Sequence, residues 1–210
     1  MSSLIFYTDS TQALVATDTL AVKPDGQPLM FCSKAVYLPH LRTIVAGTGV
    51  GGFSNDWANE VNNLLIVRGL RNLDRHTQRS LQKRWAVVSS SADFPIGLTT
   101  TVYQIGIGED NEKVCAFAYR STNDFASEPI PYGFRAKPEC TLLDSDNIVE
   151  VVQAAMIEQR EIQGTKPLEQ RLYIGGECFF MHLTKDAFTS VKAFRFDDYE
   201  EQLDQIFSAF

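Results

Sequence analysis

LIFYTDSTQALVATDTLAV, residues 4–22, is the stretch on which the fold turns. Leu4 to Thr8 is rich in β-branched and aromatic residues, Ala13 to Ala16 is an apolar run, and DSTQ at 9–12 supplies turn chemistry between them. That pattern predicts a β-hairpin. Most chains leave their first residues loose, so a strand that starts at Leu4 leads us to expect a fixed N-terminus here.

Outward from this hairpin the strands continue. KPDGQP at 23–28 is a second turn signal, followed by LMFCS, KAVYL and, after Pro39, TIVAG at 43–47. The period changes after the glycine-rich GTGVGG of 47–52: Trp57, Val61, Leu64 and Leu65 recur at helical spacing, with Ser54 or Asn55 as expected N-cap and Gly69 as expected stop. A second helix is expected through Leu81 to Trp85. Strands return in GLTTTVYQIGIG and KVCAFAYR, joined by the EDNE turn at 109–112, and Ser121 to Cys140, with Pro129, Pro131 and Pro138, reads as loop-rich. Ser145 is the expected cap of a helix striped by Ile148, Val151, Val152, Ala155 and Met156 and ending near Gly164. The strands LYIGGECFFMHL and FTSVKAFRF and an acidic terminal helix, DDYEEQLDQIF, complete the order.

Blocks of antiparallel strand between helices imply an α+β chain with two sheets stacked face to face and helices over their outer faces, because each sheet has two faces to hide. At 210 residues with 44% hydrophobic content, a single domain over 1–210 is expected. The net charge of −7 argues against nucleic acid as a partner, and the basic residues of Arg68 to Trp85 are interrupted by Asp74 and read as a solvated helix face. No apolar run is long enough for a bilayer and no secretory signal is visible, so no membrane partner is expected. Cys32, Cys115, Cys140 and Cys178 match no zinc or redox spacing and read as reduced core residues of a cytoplasmic protein; His40, His76 and His182 are scattered. Neither metal nor cofactor is expected.

Chemistry enters at Ser2. With Met1 removed, its hydroxyl and its own α-amine belong to one residue, and an amine with a pKa of about 8 can take the hydroxyl proton near neutrality. A nearby lysine would keep that amine unprotonated, and a carboxylate would orient the lysine. Lys34, in FCSKAVYL, and Asp18, closing ALVATD, are charges set against apolar runs, unusual unless paired or functional. The bland alternatives are an ordinary terminal serine and a structural ion pair. GTGVGG lacks the Lys-Ser/Thr ending of a phosphate loop and by itself reads as a tight strand-to-helix connection.

VATDTLAV, SKAVYLP and TIVAGTG together resemble the β-type subunits of the proteasome and its bacterial relatives, an N-terminal-nucleophile (Ntn) hydrolase family. The resemblance implies a four-layer αββα sandwich and a first mature residue that acts as nucleophile, with an aspartate sixteen and a lysine thirty-two residues later. From Ser2 those spacings land on Asp18 and Lys34. The family's oxyanion glycine matches Gly47 with a one-residue shortening. The resemblance further implies a ring-like homo-oligomer and a peptide or amide substrate. It covers the first third of the chain and thins beyond it. Aligned on Gly175 and Gly176, the family's supporting aspartate and serine are replaced by Arg171 and Ile174, and its further serine has no counterpart around PIPYG. Two other readings therefore stand beside the hydrolase: an inactive assembly or scaffold subunit on the same fold, and a small-molecule amidase.

Overall fold

A computed structural model describes residues 3–91, 94, 97–145 and 147–208. The hairpin at its start is β1 (Leu4–Thr8) against β2 (Gln12–Asp18), paired from Leu4↔Thr17 to Thr8↔Ala13. Asp9 closes the turn: one carboxylate oxygen accepts the Thr11 and Gln12 N–H groups at 2.7 and 3.0 Å. β3 (Leu20–Val22) and β4 (Pro28–Phe31) form a separate two-stranded ribbon around the KPDGQP turn. β5 (Ala35–Leu38) and β6 (Thr43–Gly49) lead into α1 (Phe53–Leu64) and α2 (Leu70–Ser89). Next come β7 (Thr100–Ile107), β8 (Val114–Arg120), β9 (Ser127–Pro129) and β10 (Gly133–Lys137). The chain ends with α3 (Ile148–Gly164), β11 (Glu177–Thr184), β12 (Phe188–Arg195) and α4 (Tyr199–Ser208).

The architecture is a mixed α+β one, with every strand pair antiparallel. One five-stranded sheet runs β10-β1-β2-β11-β12 and another β5-β6-β7-β8-β9. Strand alternation decides what each face meets. Leu4, Phe6 and Val15 of the first sheet share an apolar cluster with Ile44, Tyr103 and Ile105 of the second. The opposite face of the second sheet, through Val45, Val102 and Tyr119, packs on Trp57 of α1 and Leu73 and Leu81 of α2. Ile5, Ala16 and Phe180 of the first sheet turn the other way, onto Val152, Ala155 and Met156 of α3.

Several expectations change. Gly69 does not stop the first helix, which ends at Leu64; it stands at the N-terminus of α2, which runs from Leu70 and buries Leu70, Leu73, Thr77 and Leu81. The α1 cap is Gly52 rather than Ser54 or Asn55, and α3 is capped by Asn147, whose side chain accepts the Val149 N–H, with the Ser145 hydroxyl two residues further out accepting the Asn147 N–H. The 121–140 segment holds two strands, β9 and β10. Pro129 ends an edge strand and Pro138 follows another, positions where a missing N–H costs no ladder bond. The strand expected over 172–183 starts only at Glu177, because the backbone of Gly175 and Gly176 is bonded elsewhere.

Candidate active site

Asp18 lies at the last position of β2 and is fully buried. Its carboxylate accepts the Ser3 N–H at 2.9 Å on one oxygen, and the Gly175 N–H at 3.1 Å and the Lys34 ammonium at 2.8 Å on the other. Lys34 is itself 9% exposed and also donates to the Leu20 carbonyl at 2.6 Å. A buried ion pair persists only where further hydrogen bonds use up its remaining capacity, and these do. The Lys34 side chain is thereby fixed in one direction.

The loop carrying Lys34 is held at both ends. Ser33 Oγ donates to the Ala35 carbonyl at 2.6 Å, and Asn55 of α1 donates its side-chain N–H to the Ser33 carbonyl at 2.8 Å. Lys34 directly precedes β5, whose first residue Ala35 pairs with Ala46, the neighbour of Gly47 on β6. Gly47 is glycine because of crowding: a Cβ there would stand 2.5 Å from the Ser54 Cβ, where the first turn of α1 crosses the strand. Gly49 has both reasons, a φ of +100° and a Cβ position 2.0 Å from the Thr99 carbonyl oxygen. α1 starts beyond this loop with no side-chain cap. Its dipole therefore favours negative charge at that end.

Lys34 and Gly47 share the wall of an open cavity of about 510 Å³, completed on its apolar side by Leu20, Val22, Met30 and Val50. A second cavity of about 350 Å³ adjoins it, with Cys32 and Ser33 in both walls. Opposite Asp18 on β11 lies Cys178, whose thiol is pushed far above its ordinary range by burial and, secondarily, by the Asp18 charge. It stays neutral and packs as an apolar residue.

Three of the four sequence-derived site residues, Asp18, Lys34 and Gly47, therefore meet at one place. Ser2, the fourth, lies outside the described residues, as does Met1. Its neighbour Ser3 is fully buried: besides the N–H bond to Asp18, its hydroxyl donates to Gln159 Oε1 at 2.5 Å, and Gln159 in turn donates to the Pro138 carbonyl. Gln159 and Gly175 escaped sequence reasoning. The available signal was a glutamine on the apolar stripe of α3, one turn beyond Ala155 and Met156. Arg171 and Ile174 do structural work: Arg171 Nη2 donates to the Gly164 and Lys166 carbonyls at the end of α3, and Ile174 is in the core.

Chemically, the arrangement offers a fixed cation and a glycine backbone on one cavity wall, with the carboxylate that orients the cation bonded to the Ser3 N–H. Among the described residues, no group of three or more His, Cys, Asp or Glu side chains could hold a metal ion, and no helix is long and apolar enough to cross a membrane. No family model and no curated protein matches this chain.

Proposed function

We propose that this chain is a proteasome β-subunit-like N-terminal-nucleophile hydrolase that cleaves amide or peptide bonds, built as a four-layer αββα sandwich. The observation that carries the reading is the buried Lys34–Asp18 pair, its carboxylate bonded to the N–H of Ser3 and its lysine sharing the wall of the larger cavity with Gly47. The sandwich rests on the three apolar clusters, one shared by the two sheets and one on each outer face with helices.

Once Met1 and anything before it is removed, the α-amine of Ser2 takes the proton of its own hydroxyl as Oγ bonds to the substrate carbonyl carbon. The carbonyl electron pair moves onto oxygen, where the Gly47 N–H receives it. Collapse breaks the C–N bond, the ammonium returns its proton to the leaving amine, and the acyl group stays on Ser2 as an ester. Water, deprotonated by the same amine, attacks the ester, releases the acid and restores Ser2. Lys34 holds the amine unprotonated through its positive charge, and Asp18 orients Lys34. A ring-like homo-oligomer enclosing such sites belongs to the same reading.

Arg171 and Ile174 favour a second one. They fill structural roles at the places where the family sets its supporting aspartate and serine, as expected of an assembly subunit that has lost its activity. Intact mass and N-terminal sequencing, before and after a small serine-reactive acylating probe, decide between the two. A chain beginning at Ser2 that gains one adduct there, lost in Ser2→Ala, supports the hydrolase. Retained Met1, or an exposed Ser2 that stays unlabelled, leaves the scaffold.

A further inference from the structure

The second cavity plays no part in the chemistry above, yet its walls grow out of the same elements. Thr17 of β2 and Thr19, just past its end, flank Asp18, and Cys32 and Ser33 precede Lys34. Strand alternation turns Thr17 to the face away from Asp18, so this wall of the cavity lies across β2 from the ion pair. Its remaining walls are aromatic and soft: Phe31, Phe179, Met181 and Tyr199. Phe31 and Tyr199 are stacked with ring centroids 4.9 Å apart, and Arg195 covers Tyr199 at 4.2 Å, which holds this side rigid.

Charge decides what can enter. The one ionised group in the wall, Glu177, is already bonded by Arg195 at 2.7 Å and Lys192 at 3.2 Å. In the first cavity Lys34 is likewise matched by Asp18. In the second cavity a charged ligand group would lose hydration without an unmatched partner to replace it. An aromatic ring meets other rings and a thioether, both favourable partners for a π-system. At about 350 Å³ the cavity lies at the small end for ligand sites, suited to one ring rather than a whole ligand.

We infer that this second cavity binds an uncharged aromatic side chain of the same amide substrate whose scissile bond lies at the first, a role that rests on the hydrolase reading. Binding is read without turnover on Ser2→Ala protein, by NMR titration with N-acetyl amides of phenylalanine, alanine, aspartate and lysine. The phenylalanine amide is expected to bind at least tenfold more tightly than the other three. Ser190 lines the cavity from an exposed position of β12, and Ser190→Trp, which fills the space, is expected to remove that preference. Equal binding of the four amides, or a preference untouched in folded Ser190→Trp protein, overturns the inference. Should that variant not fold, Phe179→Ala decides: lost preference supports the site and retained preference sinks it. Labelling of Ser2 by the small acylating probe is scored separately on unsubstituted protein. An unlabelled Ser2 overturns the substrate role even where the ring binds, whereas a labelled Ser2 with no aromatic preference overturns this inference alone.

Discussion

Lys34 and Asp18 illustrate how a single residue's value depends on what its partner would be left with. Lys34→Met would leave a fully buried carboxylate facing only the Ser3 and Gly175 N–H groups, and removing one partner of a buried pair costs about 3–5 kcal/mol. Replacing both charges avoids that penalty. Urea unfolding should therefore find Lys34→Met strongly destabilised and the double variant Asp18→Asn/Lys34→Met restored to within about 2 kcal/mol of the parent. A double variant as unstable as the single one would mean that the pair contributes a net attraction of its own. On the hydrolase proposal the chemistry separates from the stability: the restored double variant should still fail to take up the acylating probe at Ser2, since it lacks the cation. Both residues were legible in the sequence as charges beside apolar runs. Gln159 was not, because a polar residue on a helix stripe announces a partner without saying which.

At the scale of elements, the helix termini were read least well, for a shared reason. Local capping rules assign α1 to Ser54 or Asn55, but the Asn55 side chain is committed to the Ser33 carbonyl and Ser54 is pressed against Gly47, so Gly52 takes the position. α2 has no side-chain cap of its own. The N–H groups of its second and third residues, Arg71 and Asn72, are received instead by the two oxygens of Glu109 at 2.9 and 2.7 Å, from the EDNE turn between β7 and β8. A carboxylate there both caps and complements the helix dipole. Glu109→Ala is expected to lower stability by about 1–2 kcal/mol, and Glu109→Gln by less, since it loses the charge but keeps one acceptor. Denaturant midpoints at unchanged slope measure both. The strands were easier: β1, β2, β8 and β12 lie where alternation and turn residues put them, because those signals act over a few residues. β9 and β10 were hidden by their prolines, whose tolerance depends on lying at a sheet edge, a property of the sheet and not of the segment.

Across the whole molecule, burial in the two sheets sets a limit on alkaline stability. Cys115 on β8 is pushed up to about 11 by burial, and Cys178 on β11 is displaced upward more strongly for the same reason. The folded state holds these thiols neutral while the unfolded chain ionises them at their ordinary pKa of 9.0. Protons bound in the folded state but lost in the unfolded one make stability fall as pH rises. The contribution is complete below pH 9 and drains away from there through the folded Cys115 value of about 11. Unfolding free energies measured between pH 8 and 11 should decline, and Cys115→Ala should decline less steeply over the same range. An identical slope in the two proteins would show that other groups control the alkaline limb.

The class of elements and their order, the hairpin that opens the first sheet, the two charges that pair, and the glycine that shares a cavity wall with Lys34 were all legible in the chain itself. Periodicity, turn chemistry and charge beside apolar runs are local properties, so the chain carries them openly. The tertiary structure alone decided which groups satisfy Asp18, bringing Ser3 from 15 and Gly175 from 157 residues away. It also decided that Glu109 would cap α2, that Arg171 would serve the end of α3, and that a second, aromatic cavity would form across β2 from the ion pair. Buried polar groups must find partners once water is gone, and the partners are whatever the packed layers bring within 3 Å or so, irrespective of distance along the chain.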